Sequence, residues 1–147
     1  MKVVNRISAG TALVTHQSAS LREILRDMLK YSTNLTAEMA GLAAMVKRRG
    51  KVGGLWSSAN ELNAWTRSAL GVQGMRLVEH LGLGAANRMT ADAMVGALVE
   101  AYVSNALRPI LESIAVRNEN RKLLENAVIK FDAKAGTLNF LLVWVAV

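Results

Sequence analysis

The sequence predicts an α/β fold in which a cluster of helices packs on an antiparallel sheet. Apolar residues recur at helical spacing from residue 20 onward, and the last 21 residues are rich in β-branched and aromatic side chains. The chain contains one proline, which favours helix-rich structure. With 147 residues, of which 52% are hydrophobic and 20% charged, it is long enough for one domain and too apolar to be disordered.

The first half of the chain carries two helical patterns. Residues 11–16, "TALVTH", predict a short strand, and the capping box Ser20-x-x-Glu23 then opens a helix. We expect the apolar stripe of this helix to lie in the core: Leu21, Ile24, Leu25, Met28 and Leu29. A second apolar stripe predicts the next helix, which ends at a glycine-rich loop. This stripe consists of Leu35, Met39, Leu42, Ala43 and Val46.

The second half predicts helices followed by strands. Ser58-x-x-Glu61 has the form of another capping box, for a helix that stops at Gly71. Residues 75–80 alternate weakly, as in a short strand, and Thr90 is the expected N-cap of a further helix. Pro109 is expected to start a helical segment, and residues 127–147 to form two β segments.

The charge pattern does not favour a nucleic-acid partner. The net charge is +7, but basic residues are spread along the chain, and the densest run, "KRRGK" at 47–51, falls at a predicted helix end and lacks interleaved aromatics. There are no cysteines, and His16 and His80 lack the spacing of metal ligands, so we expect no disulfide, metal or cofactor. No signal peptide and no transmembrane segment is expected from the apolar runs. The methionines and Trp56, Trp65 and Trp144 are expected to be packing residues.

Two short polar stretches are candidates for a site. In "YSTNL", Ser32, Thr33 and Asn34 separate two helices, and such residues often form turns by bonding the local backbone. They could instead project into an active site. In "AKAGTLNF", Lys134 supplies a positive charge on a strand, and Gly136 lets a ligand approach closely.

Together these stretches resemble a known family. "HQSASLREILRDMLKYSTNLTAEM", "VEHLGLGAANRMTADAMV" and "AKAGTLNF" are similar to the penicillin-binding serine D-alanyl-D-alanine carboxypeptidases, specifically the low-molecular-mass class that also acts as an endopeptidase. That family carries Ser-x-x-Lys, Ser-x-Asn and Lys-Thr-Gly motifs. Here "STN" matches the second motif and "KAG" approximates the third.

The resemblance implies roles for five residues. Ser32 would relay a proton near the nucleophile, Asn34 would hydrogen-bond the substrate carbonyl, and Lys134 would attract the terminal carboxylate. The Thr137 backbone N–H would donate to the oxyanion, and the strand edge at Gly136 would pair with the peptide. The resemblance also implies a partial penicillin-binding-protein/β-lactamase-like transpeptidase fold, periplasmic localisation and peptidoglycan stem peptides ending in D-Ala-D-Ala as substrate.

The sequence departs from the family pattern at several points. It contains no Ser-x-x-Lys, so it lacks the activated serine, and Ala135 and Leu81 stand where the family has hydroxyl residues. We therefore expect residues 1–147 to form one partial domain, the C-terminal portion of such a serine-type hydrolase, inactive or split. β-Lactams would then react only if another segment supplied the nucleophile. The alternatives are a non-catalytic binding remnant and a basic helical interaction module.

Overall fold

The computed structural model describes residue 10 and residues 14–120, 122–124, 131–138 and 141–146. Three helices come first along the chain, a two-stranded ribbon precedes the fourth helix, and a three-stranded sheet comes last. The predicted mixture of helix and antiparallel sheet is confirmed. The helices are α1 (Leu21–Tyr31), α2 (Asn34–Arg49), α3 (Leu55–Ala69) and α4 (Ala91–Val103), with a 3₁₀ turn at Arg108–Ile110. The strands are β1 (Met75–Arg76), β2 (Arg88–Met89), β3 (Glu112–Ile114), β4 (Phe131–Leu138) and β5 (Leu141–Ala146).

The strands form two antiparallel sheets. β1 and β2 make a two-stranded ribbon, and the other three strands pair in the order β3-β4-β5. β4 is therefore the central strand, and β4 and β5 are the two β segments expected at the end of the chain.

The two N-terminal helices differ from prediction in what they bury. The Ser20–Glu23 capping box of α1 is present, but no α1 residue is fully buried, and Leu21 is 66% exposed. On α2 the buried residues are Glu38 and Met45, whereas Leu35 and Met39 are exposed. The predicted core stripes are therefore wrong in part, because the face of α2 that packs inward also carries a glutamate and a glycine.

Helix α3 begins earlier than its pattern suggested. Its N-cap is Gly54, so Ser58 lies inside the helix, fully buried, and the second capping box is wrong. The helix ends before Gly71, whose φ of 64° lies in the left-handed region that favours glycine. Trp56, expected to pack, is 68% exposed.

The later elements follow the prediction more closely. Thr90 caps α4 by accepting a hydrogen bond from the Ala93 N–H, and β1 is a two-residue strand at the start of the 75–80 stretch. Pro109 is the second residue of a 3₁₀ turn, and the predicted helix there is wrong because residues 112–114 pair with β4. Residues 14–16 have no regular structure, so the early strand is wrong where it is described, and residues 11–13 lie outside the described residues.

The buried apolar core of the described residues is small. Its buried members are mostly small side chains: Met45, Ala59, Val72, Ala93, Leu111 and Ala133. Over the same residues, no helix combines the length and the apolar character needed to cross a bilayer.

Candidate active site

The turn between α1 and α2 presents the Ser-x-Asn side chains. Ser32 ends α1 with φ 53° and ψ 48°, a left-handed conformation that is uncommon for a residue other than glycine. The turn is closed by backbone, since the N–H groups of Ser32 and Thr33 both donate to the Met28 carbonyl. Among the described residues neither the Ser32 nor the Asn34 side chain makes a hydrogen bond, so these side chains do not serve as caps.

A small cavity lies beside this turn. It measures about 220 Å³ and is bounded by the end of α1 and by β3 and β4. Seven residues line it: Leu29, Lys30, Ser32, Glu112, Ile114, Ala133 and Lys134. The fold therefore brings Ser32 and Lys134 to one cavity, although they are 102 positions apart in the sequence.

Polar contacts hold α1 against the sheet on this side. Lys30 Nζ lies 3.3 Å from Glu112 Oε1, and the Arg26 guanidinium donates to the Pro109 carbonyl at 3.0 Å. The hydrogen bond and the charge of Glu112 raise the pKa of Lys30. Two lysines and one glutamate line the cavity, so its charge balance is positive and suits a carboxylate.

The other three predicted site residues lie close to Ser32 or Lys134 in the sequence but do not line the cavity. Asn34 begins α2 and is not among the described residues that line the cavity. Gly136 and Thr137 lie on β4, where they pair with Val143 and Leu142 of β5. They are not cavity-lining residues either, but they continue the strand that carries Lys134.

The two edges of β4 are covered to different extents by the strands that the structure describes. β5 pairs with β4 from Ala133 to Leu138, but β3 pairs only with Phe131, Asp132 and Ala133. Within the ranges that the structure describes, no strand covers the β3-side edge of residues 134–138. A strand edge of this kind can accept an extended peptide by strand addition.

A buried polar cluster fixes the neighbouring loop to α2 and α3. His80 Nε2 lies 2.8 Å from the Ser58 hydroxyl, and the His80 backbone N–H donates to Glu38 Oε2 at 2.8 Å. The imidazole lies directly against Gly41, where an added Cβ would be 2.3 Å from the ring. His80 is thus a packed, hydrogen-bonded histidine. This cluster was not predicted, because residues on three separate elements leave no spacing signal in the sequence.

Glu79 organises the loop after β1. Its carboxylate accepts hydrogen bonds from the N–H groups of Leu81, Gly82 and Gly84 and from the Asn87 side chain. Burial alone would raise the pKa of Glu79, but the bonds from Asn87 and from the backbone outweigh it and lower the pKa below its ordinary value. Leu81 is one of these backbone donors.

A comparison with protein-family models decides the affiliation. The model of the D-Ala-D-Ala carboxypeptidase 3 (S13) family matches residues 1–142. The chain belongs to this family. No individual curated protein and no solved structure matches the chain. The family-model match confirms the resemblance that the sequence motifs indicated.

Membership of the S13 family gives the two polar stretches a chemical context. D-Ala-D-Ala carboxypeptidases of this family act in peptidoglycan metabolism, and their substrates end in D-Ala-D-Ala. The Ser32–Lys134 cavity and the open edge of β4 lie within the matched residues.

Proposed function

We propose that this chain builds one wall of a D-Ala-D-Ala peptide cleft, within a penicillin-binding-protein-like fold. The observation that carries the proposal is the meeting of Ser32 and Lys134 at one cavity beside an open strand edge. The peptide would add to β4 along residues 134–138, and its terminal carboxylate would be attracted by Lys134.

The two polar motifs take distinct roles in this proposal. Ser32 relays a proton at the cleft, and its left-handed backbone supports a functional origin, because such strain is concentrated at sites. Asn34 hydrogen-bonds the substrate carbonyl, and the Thr137 N–H donates to the oxyanion. Gly136, which is exposed on β4, leaves room for the peptide backbone.

We infer that the chain binds the peptide without acylation by its own serines. None of the serines in the 147 residues is followed three positions later by lysine, so none has the activating base of the family motif. Fluorescent penicillin added to the purified chain is expected to give no covalent label on denaturing gels. A label mapped to one serine by mass spectrometry would instead assign this chain the full serine-type hydrolase activity.

Binding of the peptide is tested with an acetylated tripeptide ending in D-Ala-D-Ala, titrated calorimetrically. We expect binding to the wild-type chain and at least tenfold weaker binding for Lys134→Met, since a charge-assisted hydrogen bond contributes about 1.5–3 kcal/mol. Lys122→Met is the matched control, because Lys122 is exposed and is not a cavity residue.

The control ligand is the same tripeptide ending in L-Ala-L-Ala. Equal binding of the two stereoisomers, or equal losses in Lys134→Met and Lys122→Met, would contradict the proposed cleft. The remaining alternative is a basic interaction module. It predicts that removing any lysine weakens peptide binding by a similar amount, wherever that lysine lies in the structure.

A further inference from the structure

The end of the α2–α3 hairpin carries an exposed basic and apolar surface, which we call the hairpin tip and define as residues 47–56. α2 ends there with Lys47, Arg48 and Arg49, Lys51 follows, and α3 begins with Leu55 and Trp56. Trp56 is 68% exposed and Leu55 is 50% exposed. Cations therefore lie next to two large apolar side chains at one end of the hairpin.

The charge of the hairpin tip is only partly compensated. Arg49 pairs with Glu61, with Nε and Oε2 2.7 Å apart. Among the described residues Lys47, Arg48 and Lys51 make no side-chain hydrogen bond or ion pair, and residues 47–60 contain no acidic residue. The helix dipole favours these cations but leaves their charge exposed to solvent.

We propose that the hairpin tip docks on an anionic lipid bilayer. Basic side chains attract acidic headgroups, while tryptophan and leucine insert at the boundary of headgroups and acyl chains. Gly50, Gly53 and Gly54 add no side chain to the turn, so Leu55 and Trp56 are its largest apolar groups. Exposed apolar anchors favour a bilayer over nucleic acid, for which the surface offers only one stacking aromatic.

The position of the tip is compatible with an accessible peptide cleft. The tip lies at the C-terminal end of α2, and Ser32 precedes its N-terminal end. α2 has 16 residues and is about 24 Å long. Docking through the tip therefore leaves the Ser32–Lys134 cavity at the far end of this helix, and the proposal does not depend on the proposed peptide binding.

The test is co-sedimentation of the full chain with vesicles of phosphatidylcholine alone or with 30% phosphatidylglycerol. The variants are the charge triple Lys47→Gln/Arg48→Gln/Lys51→Gln and the apolar double Leu55→Ser/Trp56→Ser. The matched control is Arg22→Gln/Arg67→Gln/Arg76→Gln, which removes the same charge from exposed positions outside the tip. Circular dichroism verifies folding of each variant.

We expect binding to the anionic vesicles only. Each cation near such a surface raises the partition coefficient about fivefold. The triple variant of the tip should therefore bind anionic vesicles on the order of 100-fold more weakly than the wild type, and the control triple variant should lose much less affinity. The apolar double should also lose binding, and brominated lipids should quench wild-type fluorescence but not that of Trp56→Phe. No vesicle binding, equal losses in the two triples, or heparin binding with unchanged vesicle binding in Leu55→Ser/Trp56→Ser would overturn the proposal.

Discussion

Gly41 is the residue whose replacement tests the buried polar cluster most simply. An alanine Cβ at this position would lie 2.3 to 2.7 Å from His80 side-chain atoms, so the imidazole must move away from its hydrogen bond with Ser58. We expect Gly41→Ala to lower the free energy of unfolding by about 1–3 kcal/mol despite its better helix propensity. Urea denaturation measures this change.

The matched control is Gly96→Ala on α4. There the nearest contact of an added Cβ is 3.4 Å from Val72, so alanine fits and should stabilise the protein by up to about 1 kcal/mol. Equal effects of the two substitutions would show that His80 does not constrain α2.

The ionisation of Glu79 makes the stability of the loop after β1 depend on pH. Because hydrogen bonds from Asn87 and the loop backbone lower its pKa from the ordinary 4.5, the charged carboxylate stabilises the fold above that value. This stability is lost as the pH falls through the lowered folded pKa. We expect Glu79→Gln to lower the free energy of unfolding by about 2 kcal/mol at pH 7 and by much less at pH 3.

The control for this pH effect is Glu100→Gln, since Glu100 is exposed and its carboxylate makes no hydrogen bond in the described part of the chain. A pH-independent loss in Glu79→Gln would mean that the loop depends on the shape of the side chain and not on its charge. Chemical denaturation at several pH values distinguishes these outcomes.

At the scale of elements, the α1–α2 turn combines strain with an exposed hydroxyl. Glycine adopts the left-handed conformation of Ser32 without steric cost, so Ser32→Gly should raise the free energy of unfolding by about 1 kcal/mol. If the hydroxyl serves the cleft, the same variant should bind the D-Ala-D-Ala tripeptide more weakly.

Ser32→Ala separates the two effects, because it keeps the strain and removes the hydroxyl. It should lose binding without gaining stability. Binding that is unchanged in both variants would contradict the role of Ser32, and the calorimetric titration of the tripeptide measures it.

The helix caps and the last two strands are the features of the fold that the sequence predicts best. Local chemistry predicted the Ser20–Glu23 capping box and the Thr90 cap, because each depends on residues within one turn of helix. The final two β segments followed from side-chain composition. Ser58 was misplaced because the box pattern also occurs inside a helix, where burial against His80 decides its role.

Tertiary contacts explain the remaining differences. The sequence around Pro109 does not predict β3, because this strand forms by pairing with residues 131–133 of β4. Glu38 lies among apolar residues, and only its contact with the His80 backbone reveals why it is buried. The sequence motifs indicated Ser32 and Lys134 as site residues. They could not indicate the edge of β4 that β3 leaves uncovered, because that edge depends on how far β3 and β5 each pair along β4.

The molecule as a whole exposes much apolar surface. On α4, Val95, Val99 and Val103 follow one another at four-residue spacing and are 58%, 53% and 75% exposed. Surfaces of this kind favour association. We expect the sedimentation coefficient of the chain to rise with concentration in the micromolar range, and Val99→Gln/Val103→Gln to weaken this dependence.

The corresponding surface control is Ala91→Gln, at the exposed first residue of α4. A monomer whose sedimentation is independent of concentration would contradict the expected association. An equal effect of Ala91→Gln would indicate that the valine face is not its cause.

The central claim is that the α1–α2 turn and β4 form one peptide-binding cleft, and amide NMR during titration with the D-Ala-D-Ala tripeptide tests it most directly. The account predicts saturable shifts at Ser32 and along 134–138, with slowed amide exchange on the open edge of β4, and no such response to the L-Ala-L-Ala peptide. Shifts confined to other parts of the chain, or the same response to both peptides, would contradict it.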